Sequence, residues 1–137
     1  MPITGVHHVA VICSDYPASR RFYTEVLGLS IVRETYRQER RSYKLDLAVA
    51  SEGGGGGVQI ELFSFPDAPA RLSYPEARGL RHLAFAVTDL DSEITRLRGL
   101  GIKTEPVRLD ELTGQRFTFF ADPDGLPLEL YEQASDR

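Results

Sequence analysis

His8-Val-Ala-Val-Ile-Cys13 and, further on, Val58-Gln-Ile-Glu61-Leu-Phe63 are answered by a second set, His82-Leu-Ala-Phe85 and Leu126-Pro-Leu-Glu129-Leu-Tyr131. Each copy opens on a histidine and closes on a glutamate. Setting His8 on His82 also brings Ala10 onto Ala84 and Asp15 onto Asp89; one deletion later, Leu27-Gly28-Leu29 meets Leu100-Gly101-Ile102. Self-similarity of this kind is the signature of a duplicated supersecondary unit.

Within each copy the periodicity changes in the same order. His8 to Cys13 reads as a strand, and Ser14-Asp15 followed by Pro17 is a helix-entry signal. Phe22, Tyr23, Val26 and Leu27 then share one helical face, and Gly28 is placed to end the helix in a left-handed conformation. Leu29 to Glu34, Tyr43 to Ala50 and Val58 to Phe65 read as three strands, the last two joined across the glycine run at 53 to 57. That run is followed by a strand and lacks a Gly-Lys-Ser/Thr ending, so it is expected to be a hairpin tip and not a phosphate loop.

The second copy is expected to place strands over Arg81 to Val87, Lys103 to Val107, Phe117 to Ala121 and Leu126 to Glu132. Asp89-Leu-Asp-Ser92 enters its helix, which Leu90, Ile94, Leu97 and Leu100 line until Gly101. The organisation expected is one domain over 1–137, with module 1 at about 4–65, a proline-rich connector at about 66–79 and module 2 at about 80–133.

With 137 residues, 42% hydrophobic and 26% charged, the chain falls in the globular range. A formal net charge of −4 without any block of Lys or Arg gives no reason to expect nucleic acid or an anionic membrane as partner. No secretory signal and no apolar run of spanning length is evident, which leads us to expect a cytoplasmic protein. The single Cys13 lies in an apolar strand and reads as a buried thiol.

Strand alternation separates the candidate site residues from the core. Val9, Val11 and Cys13 form one row and leave His8 on the other face; Val58, Ile60 and Leu62 leave Glu61. Leu83, Phe85 and Val87 leave His82, and Leu126, Leu128 and Leu130 leave Glu129. Any one of these four, taken singly, is an ordinary surface residue. Glutamate is a poor strand former, however, and its recurrence at the matching point of two duplicated strands asks for a shared cause. Two imidazoles and two carboxylates make a mixed N/O donor set suited to zinc, nickel, cobalt, manganese or iron. His7 points to the opposite face from His8 and lacks its counterpart in the second copy, so it is assigned a supporting role.

These residues resemble the vicinal oxygen chelate superfamily, and within it glyoxalase I and its bacterial short forms. The likeness runs from Val6-His-His-Val-Ala through Phe22-Tyr-Thr-Glu-Val-Leu-Gly-Leu29 and Val58-Gln-Ile-Glu-Leu to Arg81-His-Leu-Ala-Phe and Asp122-Pro-Asp-Gly-Leu-Pro-Leu-Glu-Leu130. The resemblance implies an α+β fold of two βαβββ modules with a curved mixed sheet around one divalent ion, zinc or nickel foremost, with no organic cofactor. It also implies a homodimer acting on a small molecule. Carried over by position, His8, Glu61, His82 and Glu129 would be the ligands, and Glu129, with Glu61 as a second base, would move a proton through an enediolate on a 2-oxo thiol adduct. That is the activity of lactoylglutathione lyase.

Ring-cleaving extradiol dioxygenases and metal-dependent thiol transferases resemble the same scaffold with two histidines and one glutamate. Antibiotic-binding members usually lack the metal set, which leaves Glu61 as the most discriminating residue. The chain departs from the glyoxalase pattern where an Arg and an Asn would hold glutathione: Ile12 and Phe65 stand there, with Arg37, Lys44 and Arg116 as candidate replacements.

Overall fold

The computed structural model describes residues 2–49 and 57–134. The chain forms two compact units, Met1–Ala70 and Arg71–Arg137, and their boundary falls inside the proline-rich connector. Unit 1 contains β1 (His8–Cys13), α1 (Tyr16–Arg21), which continues into a π-helical turn at Phe22–Val26, β2 (Ser30–Arg37), a 3₁₀ turn at Gln38–Arg40, β3 (Ser42–Ala48) and β4 (Gln59–Ser64). Unit 2 contains β5 (Leu83–Val87), α2 (Leu90–Gly99), β6 (Arg108–Leu109), β7 (Arg116–Ala121) and β8 (Pro127–Glu132).

Both sheets have four strands and the same order, β1-β4-β3-β2 and β5-β8-β7-β6. In each, the first strand runs parallel to the last and the other pairings are antiparallel. These are two mixed βαβββ sheets, as the repeat implies. The helix in each copy supplies the crossover that a parallel neighbour requires.

Local chemistry fixes the helix ends alike in both copies. Asp15 Oδ1 accepts from Ala18 N–H at 3.1 Å, and Asp89 Oδ1 accepts from Ser92 N–H at 3.0 Å, each satisfying an otherwise orphaned donor. Past the helix ends, Gly28 (φ 75°) and Gly101 (φ 81°) occupy the left-handed region that a side chain would disfavour.

The apolar rows pack inward. Val11, Cys13, Phe22, Tyr23, Leu45, Leu47, Ile60 and Leu62 are buried in unit 1; Leu90, Ile94, Leu97, Phe120, Leu126, Leu128 and Leu130 are buried in unit 2. Burying each such leucine stabilises the fold by about 1.5–3 kcal/mol relative to exposure. The opposite face of each sheet is thereby left to the histidines and glutamates.

Three expectations need correction. No strand forms over Lys103 to Val107: Pro106 has no N–H to give a ladder, and Glu105 alone bonds across, its N–H donating to Phe119 O at 2.9 Å and its carbonyl accepting from Thr118 Oγ1 at 2.7 Å, before the short β6 begins at Arg108. The strand expected from Arg81 begins instead at Leu83, so His82 stands one residue ahead of β5. Arg116, weighed as a ligand clamp, lies with its guanidinium between Asp91 (3.0 Å) and Glu132 (3.1 Å). Glu132 also accepts from Leu90 N–H at 3.0 Å, and Arg116 together with this bond holds its carboxyl below the usual range. Arg116 thus ties α2 to β8, away from the glutamate face. The expected hairpin tip, for residues 53–56, lies outside the described residues.

No helix among the described residues is long and apolar enough to cross a membrane.

Candidate metal centre

Parallel pairing puts β1 and β4 in a register where Ala10 is opposite Glu61, and β5 and β8 in one where Ala84 is opposite Glu129. In both copies the histidine lies two residues before that alanine, on the same face as the glutamate and diagonal to it. The side chains meet. His8 Nε2 is 3.5 Å from Glu61 Oε2, and His82 Nε2 is 3.6 Å from Glu129 Oε2. Both carboxylates are 12% exposed, while the imidazoles are more open at 42% and 30%.

Those spacings suit a metal. Bonds of about 2.1 Å to nitrogen and oxygen at a tetrahedral angle put neighbouring donors about 3.4 Å apart. Each pair therefore approximates one edge of a coordination tetrahedron, without the tight 2.8 Å contact of a plain charged hydrogen bond. Among the described residues, no group of three or more histidine, cysteine, aspartate or glutamate side chains that could hold a metal ion forms; each unit brings together one His–Glu pair.

His7 lies against His8. Its Nδ1 is 2.9 Å from His8 Nδ1, with the rings edge to face, which steadies the His8 ring and leaves Nε2 on the side of Glu61. A hydrogen bond to the remote imidazole nitrogen is the usual way of orienting a metal-binding histidine. In unit 2 the corresponding restraint is aromatic, with Phe119 edge-on to His82 at 5.0 Å.

The turn into β8 is equally determined. Buried Asp122 accepts from both Asp124 N–H and Leu126 N–H at 2.9 Å through Oδ1, closing the Asp122-Pro-Asp-Gly125 turn that delivers Glu129. Beyond Glu129 on the same face, Tyr131 bonds Thr113 and donates to Asp110 Oδ2 at 2.9 Å, pinning the loop between β6 and β7.

The two half-sites differ in their neighbours. Opposite Glu61 stands Asp46, and opposite Glu129 stands Phe119. Asp46 is buried, with Lys44 Nζ 3.3 Å from one oxygen and Arg33 Nε 3.3 Å from the other, and Lys44 is also 3.9 Å from Glu61. Lys44 and Asp46 escaped the sequence reading as a pair. The signal was available, since Leu45 and Leu47 take the core side of β3 and send both charges to the glutamate face.

A cavity of about 190 Å³ opens beside His82, with Tyr74, Arg81, Glu105, Arg108 and Phe119 among its walls. It has room for a small substrate.

The profile of the glyoxalase/bleomycin resistance protein/dioxygenase superfamily matches residues 5–130. The chain belongs to that superfamily. YwkD of Bacillus subtilis, described as uncharacterized, is 58% identical over 133 residues, which span 97% of this chain and 100% of that one. YaeR of Escherichia coli, described likewise, is 53% identical and covers 93% and 95% of the two chains. A glyoxalase family protein from Enterococcus faecalis has a crystal structure that matches with a TM-score of 0.85 at 48% identity, over 96% of this chain and 100% of that chain. More distant superfamily relatives differ in activity. At 29% identity they include a Vibrio cholerae protein named "Probable lactoylglutathione lyase", with 91% of this chain and 88% of that one covered, and a 2-epi-5-epi-valiolone epimerase from Actinomyces, with 92% and 78% covered.

Proposed function

We propose that this chain is a metal-dependent lyase of the lactoylglutathione lyase type, in which His8, Glu61, His82 and Glu129 hold one divalent ion. The observation that carries the reading is the recurrence of one His–Glu pair, at 3.5 and 3.6 Å, at the same register point of two duplicated sheets. Nickel, zinc and cobalt all accept such a donor set. When bound, the ion would polarise two neighbouring oxygens of the substrate as a Lewis acid.

The protein's own part is proton transfer. In the hemithioacetal of a 2-oxoaldehyde, a carboxylate takes the proton from the carbon bearing sulfur while the C–H electron pair becomes a carbon–carbon double bond and the carbonyl pair moves onto its own oxygen. Returning that proton to the former carbonyl carbon, while the hydroxyl proton of the sulfur-bearing carbon passes to the neighbouring oxygen and its C–O becomes the carbonyl, yields the thioester of a 2-hydroxy acid. Atoms and electrons balance without an outside oxidant. Glu129 is assigned as the base, because among the described residues it meets His82 and no lysine or arginine, whereas Glu61 is shared between His8 and Lys44. Glu61 is the second base. A homodimer is part of the proposal.

Lys44 beside Glu61 favours a second reading, in which Glu61 leaves the coordination sphere and two histidines with Glu129 serve an extradiol dioxygenase or a thiol transferase. One experiment separates them: protein loaded with nickel or zinc is assayed with methylglyoxal adducts of several thiols, and iron-loaded protein with catechol and oxygen. Isomerisation of an adduct is expected. Oxygen uptake with catechol, and no adduct turnover at full metal occupancy, would replace the lyase reading by the second.

A further inference from the structure

Resting on the reading of His8 and Glu61 as donors to a divalent ion, the neighbours of Glu61 on β3 acquire a role of their own. Asp46 is directly opposite Glu61 and Lys44 is opposite Phe63; the corresponding places of unit 2, opposite Glu129 and Tyr131, hold Phe119 and Phe117. Both copies carry the His–Glu pair, yet one sets aromatic rings beside it and the other a lysine and an aspartate. If Lys44 served only to neutralise Glu61, a second carboxylate on the facing residue would work against it, because like charges directly opposite on neighbouring strands repel. Asp46 therefore asks for a purpose.

The geometry around it is unequal. Asp46 is 3% exposed, and its Oδ2 accepts from Arg33 Nε at 3.3 Å. Its Oδ1 lies 3.3 Å from Lys44 Nζ but accepts no hydrogen bond among the described residues. The same ammonium is 3.9 Å from Glu61 Oε2, beyond hydrogen-bond reach. Lys44 thus stands between two carboxylates and is seated on neither, with a buried acceptor open on the Asp46 side. Its residue type fits that position. Of the 16 basic residues only Lys44 and Lys103 are lysines, and a compact ammonium on a flexible stem changes partner by rotating, where the planar fork of an arginine is held to one carboxylate at a time.

We propose that Lys44 is a latch on Glu61: in the metal-free protein its ammonium attends the carboxylate in place of an ion, and on metal binding it is handed to Asp46 Oδ1. Lys44 and Asp46 act through Glu61 and are positioning residues. The latch keeps an almost buried carboxylate paired when no ion is present, where an uncompensated charge would be costly. It also gives the two residues opposite signs. Without Lys44 nothing competes for Glu61, and the freed charge of Asp46 adds to the attraction for a divalent ion. Without the charge of Asp46 the ammonium has Glu61 alone to turn to, and the ion must displace it.

Nickel affinity of the full-length protein is measured by chelator competition at fixed ionic strength. Lys44→Met should bind nickel about tenfold or more tightly, and Asp46→Asn about tenfold more weakly, changes of the size that supporting partners of a ligand produce. In the Lys44→Met background Asp46→Asn should cost less, because its effect passes through the lysine. A second readout follows the lysine itself. In wild-type protein labelled with ¹³C-lysine, diamagnetic zinc should shift the Lys44 Cε signal saturably and leave that of Lys103 in place. These signals and Lys44→Met carry the test if Asp46→Asn does not fold. Unchanged or weaker nickel binding in Lys44→Met, tighter binding in Asp46→Asn, or a Lys44 signal indifferent to zinc would overturn the latch. Neither readout uses turnover, so a protein that shows the latch and isomerises no adduct would tell against the lyase reading alone. An active lyase whose Lys44→Met variant binds nickel as before would tell against the latch alone, and a wild type that takes up neither ion would overturn both.

Discussion

Glu129→Gln should leave a folded protein that still takes up its ion and turns over about 10²- to 10⁴-fold more slowly, the usual contribution of a positioned general base. The amide keeps an oxygen donor at the same point of β8, where the register with Ala84 and the Asp122 turn hold the backbone. What it loses is the ability to accept a proton. Metal content measured beside kcat separates these two properties. Turnover unimpaired at equal occupancy would remove Glu129 from the role of base and pass it to Glu61.

His82→Ala is expected to lower affinity for nickel or zinc by about 100-fold or more, exceeding the 10- to 100-fold typical of losing only a supporting partner. His8→Ala should match it. The equality is the informative part, because His8 pairs with Glu61 in unit 1 and His82 with Glu129 in unit 2. If all four donors hold one ion, either histidine takes away a quarter of the same coordination sphere. Competition with a chelator of known affinity reads both variants. A strong loss in one and none in the other would leave a site made by a single pair.

Much of this organisation was legible before any coordinates. Alternation with period two separated Val11 and Cys13 from His8, and Ile60 and Leu62 from Glu61, because a buried face tolerates no one-residue slip. Duplication made each assignment twice over, so the caps at Asp15 and Asp89, the glycine stops and both His–Glu pairs were visible. The expected strand at Lys103 to Val107 failed at a proline whose missing N–H was already written in the chain. Partnership between distant charges was the harder matter. Arg116 looked as free as Arg37 in the sequence, and only the fold sets Asp91 and Glu132 around the first while leaving the second on an aromatic platform. Asp46 was hidden for the same reason, since its burial depends on the two neighbouring strands and not on its own segment.

The measurement closest to the central claim is a count of ions. Metal-free protein titrated with nickel and weighed intact under native conditions should take up one tightly held ion per chain, and Glu61→Ala and Glu129→Ala should each abolish that one ion. Two independent ions per chain, each lost with only its own glutamate, would contradict a shared site and leave two separate His–Glu pairs in its place.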